Sequence, residues 1–122
     1  MKIKITSGNV KAIADLSNTP TAKVIYNALP IESSANRWGD EIYFVIPLKL
    51  KPEPGAKDIV EIGGVAYWPE GACFCIFFGR TPASKGDEIR AASKVNVFGK
   101  IKGNAKAFNK VKNGDFIIID KI

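Results

Sequence analysis

With 122 residues, 46% hydrophobic and 25% charged, the chain is long enough for one hydrophobic core and too short for two comfortable domains, so residues 1–122 are expected to form a single domain. It contains no histidine, which excludes Ser-His-Asp and Cys-His catalysis and removes the commonest transition-metal ligand, so no metal site and no cofactor are expected. The formal net charge is +6, but the lysines are spread along the chain and mostly alternate with apolar residues, so no specific nucleic-acid partner is expected.

The first thirty residues predict a β-hairpin followed by a helix. Polar and apolar residues alternate over 2–5 and 9–14, on either side of a glycine-containing turn, which is typical of a hairpin. No signal-peptide hydrophobic region precedes the first strand, so a cytoplasmic protein is expected. Thr19 and Pro20 suit the N-cap and the first position of a helix, and Pro30 ends it.

The rest of the chain predicts short strands separated by glycine- and proline-containing turns. Alternating or apolar segments predict strands at residues 41–50, 58–68, 72–78, 94–101 and 116–119. The Gly63-Gly64 pair indicates a bulge or sharp bend, and residues 103–111 predict a second short helix. The longest uninterrupted apolar stretch, 72–78, is far shorter than a membrane span, so no membrane partner is expected. Seven or eight strands with two short helices favour a mainly β barrel or sandwich.

The two cysteines, Cys73 and Cys75, lie two positions apart on a predicted strand. Side chains at this spacing share one face, and their Cα atoms are roughly 6.5–7 Å apart, which is poor geometry for a disulfide. Two thiolates without further soft ligands do not make a zinc site. We therefore expect two free thiols buried in the core.

Several segments resemble known sequences. Residues 97–101, Val-Phe-Gly-Lys-Ile, followed by a short helix, resemble the Val-Phe-Gly-Lys-Val segment of cyclophilins. Residues 36–44 (NRWGDEIYF), 64–71 (GVAYWPEG) and 77–84 (FFGRTPAS) are similar to a smaller family of cyclophilin-like proteins of bacteria and archaea. The resemblance covers most of the chain and implies a closed eight-stranded cyclophilin-like barrel with two short helices. That family has no settled function, so the fold does not assign one.

The same resemblance implies that the usual isomerase residues are missing. A working cyclophilin places an arginine of a central strand beside the prolyl nitrogen and has a histidine in its groove. Val95 aligns with that histidine, and the strand that begins at Glu41 contains no arginine. Arg37 precedes that strand and Arg80 follows the central strand in a loop, so neither is at the expected position. Ordinary prolyl isomerase activity is therefore not expected.

The first candidate site residues are Trp38, Glu41 and Tyr43. On an extended strand Glu41 and Tyr43 share the face opposite Ile42 and Phe44, so they point out of the barrel, and Trp38 lies at the entry turn. A carboxylate beside aromatic rings could anchor a cationic or hydroxylated ligand, or act as a general base with a raised pKa. The alternative is an exposed glutamate at the start of a strand.

Further candidates come from aromatic and polar residues on later strands. Tyr67, Trp68 and Phe78 could wall a groove or fill the core, and Asn96 could orient a ligand or pin a neighbouring loop. We predict a groove on the outer face of the barrel that binds a small molecule or a short peptide. Its predicted lining is Trp38, Glu41, Tyr43, Tyr67, Trp68, Phe78, Arg80 and Asn96. Two alternatives stay open: a weak isomerase with a relocated arginine, and a homodimeric or partner-binding structural module.

Overall fold

The chain folds into ten β-strands and two helices, and the computed structural model describes all 122 residues. The strands are β1 (Lys2–Ser7), β2 (Val10–Leu16), β3 (Ile31–Ser34), β4 (Asn36–Arg37), β5 (Glu41–Val45), β6 (Lys57–Val60), β7 (Gly64–Trp68), β8 (Cys73–Phe77), β9 (Ile89–Lys102) and β10 (Phe116–Lys121). The helices are α1 (Pro20–Asn27) and a 3₁₀ helix (Ala105–Lys110). Thr19 caps α1 as predicted, since its hydroxyl accepts the N–H of Ala22. Neither helix has the length and apolar character needed to cross a membrane.

The strands form one antiparallel sheet in the order β3-β10-β1-β2-β9-β7-β8-β5-β4, and β6 pairs with the first part of β9. The mainly β class is confirmed, but the closed eight-stranded barrel is not, because the sheet has ten strands and is open. The ends of the strand order, β3 and β4, follow each other along the chain with only Ala35 between them. This extended segment pairs first with β10 and then with β5, so no ladder joins β3 to β4.

Several strand assignments differ from the sequence prediction. The strand predicted at 41–50 ends at Val45. The strand predicted at 58–68 is divided into β6 and β7 by a turn, in which Gly63 has φ +83° and the N–H of Gly64 donates to the carbonyl of Glu61. Strand β9 begins at Ile89 rather than at residue 94. Strands β3 and β4 were not predicted, because each is too short to show a clear alternation.

Two hydrophobic clusters cover the two faces of the sheet. The main cluster has 25 buried residues on the inner face, where the ring of Phe74 stacks on Phe44 at 5.0 Å and meets Phe98 edge-on at 5.3 Å. The smaller cluster lies on the outer face, beneath β6 and the first part of β9. Its eight buried residues are Val60, Ala66, Cys73, Cys75, Phe77, Ile89, Ala91 and Val95. Strand β8 is therefore buried on both faces, as its apolar sequence requires.

Candidate functional site

The hairpin of β4 and β5 places Trp38 and Glu41 opposite each other. Their backbones exchange two hydrogen bonds, of 3.0 and 3.2 Å, across a two-residue turn. Gly39 begins this turn with φ +60°, which favours glycine, and a side chain there would come within 2.9 Å of the Arg80 carbonyl oxygen. Opposed residues of a hairpin share one face, so Trp38 and Glu41 lie on the outer face together with Tyr43.

The strand register continues this face across β8 and β7. Tyr43 is opposite Cys75, which is opposite Ala66, and in the next row Cys73 is opposite Trp68. The first part of β9 forms the remaining wall. Together these strands enclose a cleft of about 230 Å³, here called the outer cavity, lined by Trp38, Glu41, Tyr43, Trp68, Ala91, Ala92 and Val95.

The indole ring of Trp68 is fixed before any ligand binds. Its N–H donates to the hydroxyl oxygen of Ser93 at 2.6 Å, and that hydroxyl donates to the carboxylate of Glu70 at 2.8 Å. The ring also lies directly against Gly71, where an added Cβ would be 2.4 Å from a ring carbon. A wall that is already ordered loses little conformational freedom on binding.

Glu41 is the one acidic or basic side chain among the lining residues, and it is only 5% exposed. Its carboxyl group takes part in none of the ion pairs of the protein. Burial raises the pKa of Glu41 to about 7, and a hydrogen bond with the Cys75 thiol opposes this rise only in part. Near neutral pH the carboxyl group of Glu41 is therefore partly protonated and partly ionised, and no cation of the protein lies beside it.

Four of the eight predicted site residues line the outer cavity, and the other four lie elsewhere. Tyr67 and Asn96 are opposite each other on β7 and β9, with side chains buried on the inner face. The hydroxyl of Tyr67 donates to the carbonyl of Leu48 at 2.8 Å and accepts the N–H of Leu50 at 3.0 Å. Tyr67 therefore holds the loop after β5.

Asn96 uses its whole amide group within the protein. Its Nδ2 donates to the hydroxyl of Thr21 at 3.1 Å and to the carbonyl of Lys51 at 3.0 Å. Its Oδ1 accepts the N–H of Glu53 at 2.8 Å. Of the two roles considered for Asn96, the structure shows the pinning of a neighbouring loop, here against α1.

Phe78 and Arg80 also lie outside the outer cavity. Phe78 is 2% exposed in the main cluster, beneath the guanidinium of Arg37 at 5.0 Å from the ring centroid. Arg37 donates to the carbonyls of Asn109 and Val111, so it joins β4 to the 3₁₀ helix region. Arg80 is exposed on a separate polar groove. No arginine lines the outer cavity.

Three lining residues, Ala91, Ala92 and Val95, were not predicted as site residues. They lie on the first part of β9, and Ala91 and Ala92 precede residue 94, where the sequence predicts the start of the strand. The alternation of Ile89, Ala91 and Val95 with more exposed residues was the available signal. Val95 had been considered only as the residue aligned with the cyclophilin histidine, and the structure places it in the wall of the outer cavity.

Cys73 and Cys75 are free and buried on one face, as predicted. Burial raises the pKa of both thiols, and the neighbouring Glu41 carboxylate raises them further. Because the thiolate is the reactive form, we expect a thiol reagent to label the native protein slowly at pH 8 and the unfolded protein rapidly. Complete labelling of either cysteine in the native state within seconds would show that it is open to solvent.

Four of the lysines that are spread along the sequence lie around one depression that is separate from the outer cavity. Lys2, Lys4, Lys11 and Lys102 surround Ile13 in a shallow depression over β1, β2 and the end of β9. The strand pairing causes this, because it aligns outward-facing positions of three strands. The expected lack of a specific nucleic-acid partner stays a prediction.

Comparisons with known proteins agree with this architecture. The model of the family described as Cyclophilin-like matches residues 1–120. The solution structure of the hypothetical protein AF2241 from Archaeoglobus fulgidus is similar, with a TM-score of 0.85 and 39% sequence identity over 100% of this chain and 95% of that chain. A comparison with curated proteins gives no match. The chain belongs to the Cyclophilin-like family.

Proposed function

We propose that the protein binds a small molecule or a short peptide segment in the outer cavity, without the prolyl isomerase activity of ordinary cyclophilins. The observation that carries this proposal is the Glu41 carboxyl group, which is buried and has no cation beside it. A desolvated, unpaired carboxylate is costly for the folded state. Such a cost is typical of sites where a ligand supplies the missing partner.

The walls of the cavity support the same proposal. Ligand sites combine apolar and aromatic walls with a few polar groups, and here Trp38, Tyr43 and Trp68 surround the single carboxyl group. The volume of about 230 Å³ is below the roughly 300–1,000 Å³ typical of clefts for drug-sized ligands. The cavity therefore suits a small head group, or one side chain of a peptide.

The two tryptophans of the chain provide the test, because both line the outer cavity. We expect some members of a library of small fragments and short peptides to shift the indole N–H signals in NMR spectra and to change the fluorescence. Ala92→Phe should block binding, since Ala92 lies exposed at the cavity wall. Ile13→Phe, which adds a ring at an exposed position outside the outer cavity, should not. The proposal would be contradicted by compounds that bind without shifting the indole N–H signals, or that bind Ala92→Phe as tightly as the wild type.

We expect no isomerase activity near that of an ordinary cyclophilin on a proline tetrapeptide. No arginine lines the cavity, and Val95 presents an apolar side chain at the position aligned with the histidine. A kcat/KM approaching roughly 10⁷ M⁻¹ s⁻¹ would contradict this expectation. In that case loss of activity in Arg80→Ala would favour the alternative with a relocated arginine.

A further inference from the structure

The aromatic and charged side chains of the outer cavity favour positive charge in a ligand. The faces of Trp38, Tyr43 and Trp68 carry the negative part of the aromatic quadrupole, which attracts cations. The Glu41 carboxylate attracts the same charge. No lysine or arginine is among the lining residues. An anionic ligand would therefore be repelled, and a neutral one would leave the desolvated carboxylate without a counter-ion.

No neighbouring group of the protein supplies this positive charge. The thiols of Cys73 and Cys75 approach Glu41 from β8, and their raised pKa values keep them neutral. On β5 itself the neighbouring titratable group is the phenol of Tyr43. Arg90, on β9, is paired with two carboxylates at 2.9 and 3.2 Å. The counter-ion of Glu41 must then come from outside the chain.

The walls also distinguish among cations. A bare ammonium is a compact, strongly hydrated charge, so burying it between rings removes water that the rings do not replace. Alkylation spreads the charge over methyl groups, which make van der Waals contact with aromatic faces while retaining the electrostatic attraction. Three rings and one carboxylate around a small cleft are the arrangement that recognises such groups in aromatic cages.

We infer that the outer cavity binds an alkylated ammonium group, with the Glu41 carboxylate as its counter-ion and the rings of Trp38, Tyr43 and Trp68 against its alkyl groups. The inference rests on the proposed function, because it names the ligand class of the same site. The alkylammonium group can belong to a free molecule or to a methylated lysine of a peptide, and the chemistry of recognition is the same in both.

The test compares choline with 3,3-dimethyl-1-butanol, its neutral carbon analogue of the same shape. Dissociation constants are measured from tryptophan fluorescence and indole N–H shifts at pH 8, above the pKa of Glu41. We expect choline to bind at least tenfold more tightly than the alcohol. Glu41→Gln should reduce this ratio at least tenfold, mainly by weakening choline. Glu61→Gln, which removes an exposed carboxylate paired only with Lys100, should leave the ratio unchanged.

A peptide with trimethyllysine, compared with the same peptide carrying unmodified lysine, identifies the source of the group. Much tighter binding of the methylated peptide than of choline would indicate a peptide ligand, and equal binding would indicate a free molecule.

If the alcohol binds as tightly as choline, or if Glu41→Gln leaves the ratio unchanged, the inference is wrong while the cavity remains a ligand site. If fragments of other classes shift the indole signals and no ammonium compound does, the inference alone fails. If nothing shifts them, the proposed function fails as well.

Discussion

Glu41→Gln is expected to raise the melting temperature of the ligand-free protein by about 5–10 °C at pH 8 and to change it by less than about 3 °C at pH 5. Burial raises the pKa of Glu41 from an ordinary value of 4.5 to about 7. Each unit of difference corresponds to about 1.4 kcal/mol, so ionising this buried carboxyl group lowers the free energy of unfolding by about 3 kcal/mol. Glutamine resembles the protonated form and avoids most of that cost.

The sign of the pH dependence follows from where the proton binds more tightly. Between pH 4.5 and 7 the folded state holds the Glu41 proton and the unfolded state has largely released it, so stability falls as the pH rises. The contribution of the bound proton is fully present below pH 4.5 and is lost above pH 7. Thermal melts of the wild type, Glu41→Gln and the exposed control Glu61→Gln from pH 4.5 to 8.5 check this. A melting temperature lowered by several degrees in Glu41→Gln at pH 8 would show that the carboxylate stabilises the fold.

Asn96→Ala is expected to act in the opposite direction and to lower the free energy of unfolding by about 2–4 kcal/mol. Asn96 is buried, and the substitution leaves the N–H of Glu53 and the carbonyl of Lys51 without their partners at a partly buried contact. It also removes the link to Thr21 on α1. The outer cavity lies on the other face of the sheet, so ligand binding by the folded protein should stay unchanged.

Urea denaturation measures this loss, with Asn18→Ala as the control at an exposed asparagine. The control should change the free energy of unfolding by less than about 0.5 kcal/mol. Asn96 would instead be a ligand-binding residue if Asn96→Ala lowered the free energy of unfolding by less than about 1 kcal/mol and also weakened ligand binding.

Alternation along β5 and the short turn before it were enough to predict three of the seven residues that line the outer cavity. Ile42 and Phe44 enter the main cluster, so period two sends Glu41 and Tyr43 to the outer face. The short turn before β5 then brings Trp38 beside Glu41. These positions follow from local geometry, and no distant contact is needed to infer them.

Alternation in the sequence does not predict which side chains of β7 point inwards, or that β9 begins at Ile89. Residues 64–67 of β7 are buried on both faces, so the sequence does not indicate that Tyr67 points inwards and Trp68 outwards. Residues 89–93 contain alanine, arginine and serine, and they are extended because they pair with β6 and cover the outer face of the sheet. That pairing is a tertiary contact, which the local β-propensity of residues 89–93 does not predict.

The cation site at Glu41 is tested most directly by the pKa of Glu41 itself, measured by following the side-chain carboxyl carbon in NMR spectra as the pH is varied. We expect a value of about 7 in the ligand-free protein, and a lower value when choline is added, because a cation in the cavity stabilises the ionised form. A value near 4.5 that choline does not change would contradict a desolvated cation site, since it would mean that water or a cation of the protein already solvates the carboxylate.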